Sequence, residues 1–295
     1  MTAASGWKCF RAVLAARSPI HIGWHDLGFV QRTRYYIPAR NLWGALVAGL
    51  AARKTPLEVP DIYTKAQTEF RDNLRVTYFF PLLDRDRWLL PKFHEQHGLL
   101  LGGMTEADFE RHFLASQTST ALDASSLTAQ EGALHESEYL APRGREDEGP
   151  LRFQGYVLVR EGFSTALVES VLADCRAGAD RRYGWGRLTL CGHLEEESGP
   201  LFEEFTIQEQ PDAPPQLRSS ATTIHLPAHL RYDHTRSIEG DLEPLSGRDW
   251  ATGKQRQGSG QDLVRAALCW VPGSRLHPNG EARFEIAAQG TWTLK

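Results

Sequence analysis

Residues 178–187, GADRRYGWGR, set three glycines (Gly178, Gly184, Gly186) among three arginines (Arg181, Arg182, Arg187) and two aromatics (Tyr183, Trp185). A helical pattern leads into this stretch and a strand pattern leads out of it. Glycine permits positive φ and close approach of the backbone to another chain, and successive main-chain N–H groups in such a turn can form an anion-binding concavity. Arginine adds forked donors for phosphate, and tryptophan or tyrosine offers a flat face to an unstacked base. Together these parts suit a single-stranded nucleic-acid backbone better than a nucleotide. No Gly-Lys-Ser/Thr follows, so the phosphate loop of nucleotide hydrolases is absent, and so is the GxGxxG fingerprint. On spacing alone, a plain helix-to-strand turn with solvated arginines stays open.

A chain of 295 residues forms one large domain or two ordinary ones, and 41% hydrophobic content supplies a proper core. The four cysteines, Cys9, Cys175, Cys191 and Cys269, make no CxxC and no zinc-ligand spacing. Buried thiols in a reduced, cytoplasmic protein are therefore expected. No apolar run reaches transmembrane length, and the start MTAASGWKCF lacks the basic-then-apolar pattern of a signal peptide. The formal charge of −4 weighs against nucleic acid only if charge is evenly spread. It is not: residues 1–53 hold Lys8, Arg11, Arg17, Arg32, Arg34, Arg40 and Arg53 against Asp26, while acids gather at 195–197, 203–204, Glu209 and Asp212.

Along the chain, 8–17 has the composition of a first strand, and the loop HIGWHDLGFVQRTRYY follows. Pro38 is placed to open a helix, since its missing N–H costs nothing in the first turn. Leu42, Ala45, Leu46, Gly49 and Leu50 then recur at helical spacing up to Arg53, and Arg40 falls near the helix's positive end. A short polar helix at 64–73, a strand pair at 75–83 and 87–91, and a helix at 105–114 capped by Thr105 come next. Residues 117–149 form a polar excursion, in one reading a β-hairpin. Strand 151–160, a helix capped by Ser164 and ended by Gly178, and a strand at 187–193 complete the set. This order is the split βαβ order of an α+β, ferredoxin-like (RRM-like) βαββαβ core with a thumb insertion, spanning 1–194. Residues 195–218, acidic and proline-containing, are expected as a linker. Residues 219–295 have strand candidates at 222–230, 263–271, 283–287 and 291–294 around a polar segment at 237–261. They predict a smaller β-rich C-terminal domain or a degenerate copy of the first.

The segments SPIHIG, YYIPARNLWGALVAGL, TALDASSLTAQEGALHESEYL and GADRRYGWGRL together resemble the RAMP superfamily of CRISPR–Cas effector subunits. Ile37-Pro38-Ala39-Arg40-Asn41 stands where that family opens its first helix, with Arg40 or Asn41 in place of the usual small hydroxyl residue. The run Asp123, Thr128, Gly132 and Leu134 is similar to the family's thumb element, and WVPGS at 270–274 resembles the closing segment of some type III subunits. The resemblance implies a protein that holds CRISPR guide RNA (crRNA) on a basic surface, within a ribonucleoprotein beside neighbouring backbone subunits. A large subunit or effector nuclease would dock there, and target RNA would be met indirectly. The residues it assigns to RNA are Arg40, Gly178, Arg181, Arg182, Gly184, Gly186 and Arg187; Arg32, Arg34, Asn41, Tyr183 and Trp185 join them as RNA-binding candidates from the chemistry of their side chains. Leu127 and Leu134 would wedge between bases.

Backbone subunits of this family that cut target RNA carry an aspartate between the HIG-like and Ile-Pro motifs; here that segment is Gly28-Phe29-Val30-Gln31-Arg32-Thr33-Arg34, and Asp26, the one carboxylate nearby, stands earlier as the alternative, a shifted equivalent. Metal-assisted cleavage needs such a carboxylate, so no catalysis, cofactor or metal is expected. His94, His97, His225, His229 and His234 show no ligand spacing, and Pro227 disfavours a helix that would align His225 with His229. The resemblance favours a non-catalytic subunit that caps the 5′ handle of the guide. The alternatives are a repeated backbone subunit, a guide-processing endoribonuclease using His21 or His25, and an unrelated ferredoxin-like domain with a small-molecule pocket. Trp24, Trp43 and Trp250 are candidates for apolar contact surface.

Overall fold

A computed structural model of the chain describes residues 6–53, 60–83, 87–145, 149–208, 213–234, 237–251 and 258–295. Its main sheet is built on the strand Trp7–Ala16, which pairs antiparallel with Arg152–Arg160 on one side and Arg187–Leu190 on the other. Phe80–Leu83 joins beyond Arg152–Arg160 and Cys175–Arg176 beyond Arg187–Leu190. Helix α1 (Ala39–Arg53) links the first strand to α2 (Pro60–Asn73) and the Leu74–Val76 and Phe80–Leu83 strands. Further along come α3 (Glu106–Phe113) and α4 (Thr165–Leu172), the latter connecting Arg152–Arg160 to Arg187–Leu190. Both expected caps form: the Thr105 side chain accepts from the Asp108 N–H, and Ser164 accepts from the Leu167 N–H.

The Arg152–Arg160 strand is buried at every position between its ends, because both faces of the sheet are covered. On one face lie α1, α2 and α4, contributing Leu42, Leu46, Leu50, Phe70, Val168 and Leu172 around Leu14 and Leu188. On the other, Cys9, Tyr78, Tyr156 and Leu158 meet Phe202, Phe205, Leu217, Phe284 and Trp292 from the last third of the chain. The expected continuous strand at 75–83 is split at 77–79. There Thr77 hydrogen-bonds the main chain of Tyr156 and Phe79 exchanges hydrogen bonds with Ile37. Gly155 makes that crossing feasible, since a Cβ on it would lie 2.6 Å from the Tyr78 carbonyl. The turn expected at 84–86 lies outside the described residues.

Two segments differ from expectation. The loop before Pro38 is a hairpin, Gly23–Leu27 with Val30–Thr33, turning at Gly28 with φ +63°. Its second strand runs parallel to His135–Leu140, which pairs antiparallel with Leu114–Ser119, so the mid-chain excursion and this hairpin share one four-stranded sheet. Residues 195–218, expected as a linker, carry strands instead: Glu195–Glu196 pairs with Trp7–Ala16, and Thr206–Gln208 with Gln216–Ser219 opens the C-terminal sheet. That sheet runs in the order Thr206–Gln208, Gln216–Ser219, Ala282–Ile286, Trp292–Leu294, Leu230–Arg231, Gly258–Trp270 and Leu242–Ala251. The polar stretch 237–261 therefore contributes to a long hairpin, held by main-chain pairing from Leu242↔Trp270 to Ala251↔Gly258 rather than by apolar alternation. Among the described residues the C-terminal third contains no α-helix. No helix of the described residues is long and apolar enough to cross a membrane.

Candidate nucleic-acid interface

Helix α4 ends at Leu172, before the glycine-rich loop, so Gly178 does not cap it; the short strand Cys175–Arg176 intervenes. Gly178 (φ +96°) instead lets the loop pass against the first hairpin. A Cβ there would stand 2.3 Å from the His21 carbonyl oxygen, which accepts the Ala179 N–H at 2.9 Å. Gly186 (φ +80°) is equally constrained, with a Cβ 2.2 Å from the Ala177 carbonyl and its N–H donated to Pro19 at 2.7 Å. Between them Arg181–Tyr183 makes one 3₁₀ turn closed by Gly184, whose φ is +85° in open space.

This geometry narrows the expected main-chain anion cradle to the amides of Gly178, Asp180, Arg181 and Arg182, which have no acceptor among the described residues. The N–H groups of Ala179, Tyr183, Gly184, Trp185, Gly186 and Arg187 all donate to acceptors within the protein. The loop also presents side chains outward: Arg181, Arg182 and Tyr183 are exposed, Tyr183 by 82%, and the two arginine side chains have no hydrogen-bond or ion-pair partner among the described residues. Trp185 is buried and packs on Tyr139 with ring centroids 4.9 Å apart, so it anchors the loop and is no platform for a base. Arg187 donates from Nε to Asp174 at 2.9 Å.

The loop faces the start of α1 across a cleft of about 440 Å³. Arg40, Asn41, Trp43 and Gly44 form one wall, Arg176, Gly178 and Arg181 another, and Leu245, Ser246 and Gly247 of the long C-terminal hairpin a third. Arg40 Nη1 donates to the Gln289 side-chain oxygen at 2.7 Å, and a Cβ on Gly247 would meet the Arg40 guanidinium at 2.3 Å. No carboxylate contributes to the lining among the described residues. Such a cleft attracts phosphate by charge and holds it by forked donors. Arg40, Asn41, Gly178 and Arg181 are thus brought together as the sequence pattern suggested. Arg176 and the 245–247 wall were missed. Arg176 lies two residues before Gly178 and was legible as part of the same arginine run, whereas the hairpin wall had no sequence signal. Trp43, a candidate for open contact surface, is buried against this helix face, Trp24 is half-buried, and the Trp250 side chain lies outside the described set.

Arg32 and Arg34, expected on RNA, are each paired with carboxylates of the protein, and Arg34 also borders the cleft. Arg32 pairs with Glu110 at 2.5 Å and Glu138 at 3.0 Å. Arg34, 9% exposed, pairs with Glu243 at 2.6 Å and contacts the Tyr36 hydroxyl. Glu243 also accepts from Trp24 Nε1 at 2.9 Å and from His229 Nε2, while the Tyr78 hydroxyl donates to His229 Nδ1 at 2.7 Å. Burial lowers the His229 pKa and keeps the ring neutral, partly offset by the Glu243 charge. Burial alone would raise the Glu243 carboxyl, but the His229 hydrogen bond and the Arg34 charge outweigh it and hold the group at about 2.

Leu127 and Leu134 lie on the loop between the Leu114–Ser119 and His135–Leu140 strands, 76% and 53% exposed, joined by Leu122 at 61%. The Asp123 carboxylate accepts the Ser125 hydroxyl and the Ser125 and Ser126 amides, which hold its pKa well below the usual range and shape the tip. Leu127 (φ 57°) stands out at that tip. His21 is 5% exposed, with Nδ1 on the Glu138 carbonyl at 2.5 Å, whereas His25 lies exposed against Trp24. Asp26 is exposed opposite Gln31 in the hairpin. No group of three or more His, Cys, Asp or Glu among the described residues could hold a metal ion.

No protein-family model matches the sequence, and no curated protein matches it. Solved structures do. A chain of the cryo-EM structure of the type III-B Cmr-beta complex bound to cognate target RNA and AMPPnP (state 1) superposes with a TM-score of 0.55 at 11% identity, covering 90% of this chain and 85% of that one. A chain of the same complex bound to cognate target RNA gives 0.52 at 11% identity, covering 90% and 86%. At this identity the likeness is one of architecture, and it extends over nearly the whole chain: this protein has the mixed α+β fold of a subunit of type III-B Cmr-beta CRISPR effector complexes.

Proposed function

We propose that the chain is a non-catalytic, crRNA-binding RAMP subunit of a type III CRISPR effector complex, with a ferredoxin-like core, and that it grips the 5′ handle of the guide. The observation that carries this reading is the acid-free basic cleft where Arg40 and Asn41 of α1 meet Arg176, Gly178 and Arg181. The sheet order Arg187–Leu190, Trp7–Ala16, Arg152–Arg160, Phe80–Leu83 supports the core assignment, since in chain order it is 4-1-3-2 of a βαββαβ unit. The neighbouring Cmr-beta complexes, bound to target RNA, support a place within such an assembly. Affinity would come from phosphate contacts and fall with salt. The exposed apolar tip at Leu122, Leu127 and Leu134 would face guide–target pairs. The endoribonuclease reading is disfavoured for His21 by its burial.

The test is to co-express the chain with its genomic neighbours, purify the assembly and sequence the RNA cross-linked to it. RNAs sharing one repeat-derived 5′ end, cross-linked at 178–187 or Arg40, support handle capping. Cross-links spread along the spacer would assign a repeated backbone subunit. Absence of RNA would overturn the CRISPR reading.

A further inference from the structure

A second cavity, of about 300 Å³, lies beside the basic cleft and has the opposite character. It opens between the first hairpin, the start of α3 and the C-terminal turn 271–274. That turn is tightly seated: Gly273 donates its N–H to Leu226 at 2.7 Å and accepts from Phe93 at 2.9 Å, and a Cβ on it would press on Leu99 at 3.1 Å. The WVPGS segment thus forms a rigid wall rather than a tail. Trp24, Tyr35 and Phe93 supply aromatic surface, and Glu106, Asp241 and Glu243 supply carboxylates.

The charges do not cancel. Glu243 is matched by Arg34, whose side chain borders both cavities. Glu106 lies 2.9 Å from the neutral Tyr35 hydroxyl, whose single proton it shares with Glu110 at 2.5 Å, and neither Glu106 nor Asp241 has an ion-pair partner among the described residues. An anion or an RNA phosphate would meet two uncompensated carboxylates here. A purely apolar ligand would take those carboxylates from water with nothing in return. A planar cation satisfies both sets of groups, because guanidinium donates in a fork to carboxylates and stacks on aromatic faces. The volume is that of a small-ligand pocket at the lower end of the usual range. We infer that this cavity binds a guanidinium group, with Glu106 and Asp241 as its carboxylate partners and Trp24 and Tyr35 as its aromatic walls. The inference does not depend on the RNA reading of the neighbouring cleft.

The test is isothermal titration of the full chain with N-acetyl-arginine amide, its neutral isostere N-acetyl-citrulline amide, and methylguanidinium. Arginine amide is expected to bind at least about tenfold tighter than the citrulline compound. Glu106→Gln with Asp241→Asn is expected to remove that preference; the Tyr35 hydroxyl keeps Glu110 as an acceptor, and circular dichroism checks that the fold is retained. Comparable binding of methylguanidinium identifies a free guanidinium compound as the ligand type, whereas a need for the alkyl stem identifies a partner's arginine side chain. Equal binding of arginine and citrulline amides, no saturable binding of either cation, or a preference that survives the double substitution in a folded chain overturns the inference.

Discussion

The Arg40 guanidinium, on the first turn of α1, donates a hydrogen bond at 2.7 Å to the side chain of Gln289, 249 residues later in the chain. The basic cleft is therefore not a property of the N-terminal unit alone, because its central cation is oriented from the C-terminal sheet. Gln289→Ala is expected to weaken RNA binding about fivefold, the worth of one hydrogen bond near 1 kcal/mol, measured by filter binding at fixed salt. Unchanged affinity with a lowered melting temperature would reduce the contact to a structural one.

The Arg181 and Arg182 side chains have no hydrogen-bond or ion-pair partner among the described residues, so their removal should leave the fold intact. For the double variant Arg181→Ala, Arg182→Ala we expect weaker RNA binding. The slope of log affinity against log salt should be shallower by about 1.4, at roughly 0.7 per lost single-strand phosphate contact. An unchanged slope would remove both residues from the interface.

The three loop glycines separate two physical causes. Gly186→Ala forces a Cβ to within 2.2 Å of the Ala177 carbonyl at positive φ, and should cost about 3 kcal/mol in denaturant unfolding. Gly184→Ala meets nothing within 4 Å and carries the left-handed backbone penalty alone, about 1 kcal/mol. Equal costs would show that the close approach of the loop to the sheet is not maintained.

The His229–Glu243–Arg34 network predicts acid sensitivity. Both His229 and Glu243 have pKa values below those of the free groups, so protons bind the unfolded chain more tightly. The stability each contributes is present above the unfolded pKa and is lost as pH falls below it: first through the imidazole range near 6.5, then from 4.5 towards 2. Urea midpoints between pH 7.5 and 5 should therefore decline, and His229→Gln should flatten that decline while lowering the midpoint at pH 7.5. A decline of the same steepness in the variant would place the titrating group elsewhere.

Local chemistry made much of the first 193 residues legible. Strand 8–17, the α1 pattern behind Pro38, the caps Thr105 and Ser164, and the glycine-rich loop are each written in short-range spacing. So was the pairing of Arg40 and Asn41 with Gly178 and Arg181 in one functional group. The roles of single arginines were not legible, since Arg32, Arg34 and Arg181 look alike in sequence. Only the fold shows that the side chains of two of them meet Glu110, Glu138 and Glu243, while that of the third has no hydrogen-bond or ion-pair partner among the described residues. Trp185 likewise looked like a base platform until Tyr139 was seen to cover it.

By itself, then, the sequence determined where α1, α3 and α4 begin, which loop glycines turn left-handed, and which arginines and apolar tips are available. Those properties depend on neighbours within a few positions. Tertiary structure alone decided that the expected linker carries the strands Glu195–Glu196, Thr206–Gln208 and Gln216–Ser219, that Leu242–Ala251 pairs with Gly258–Trp270, and that Gln289 reaches Arg40. Main-chain pairing and charge pairing act through space between residues far apart in the chain. No periodicity in a single sequence records which partner each group will find.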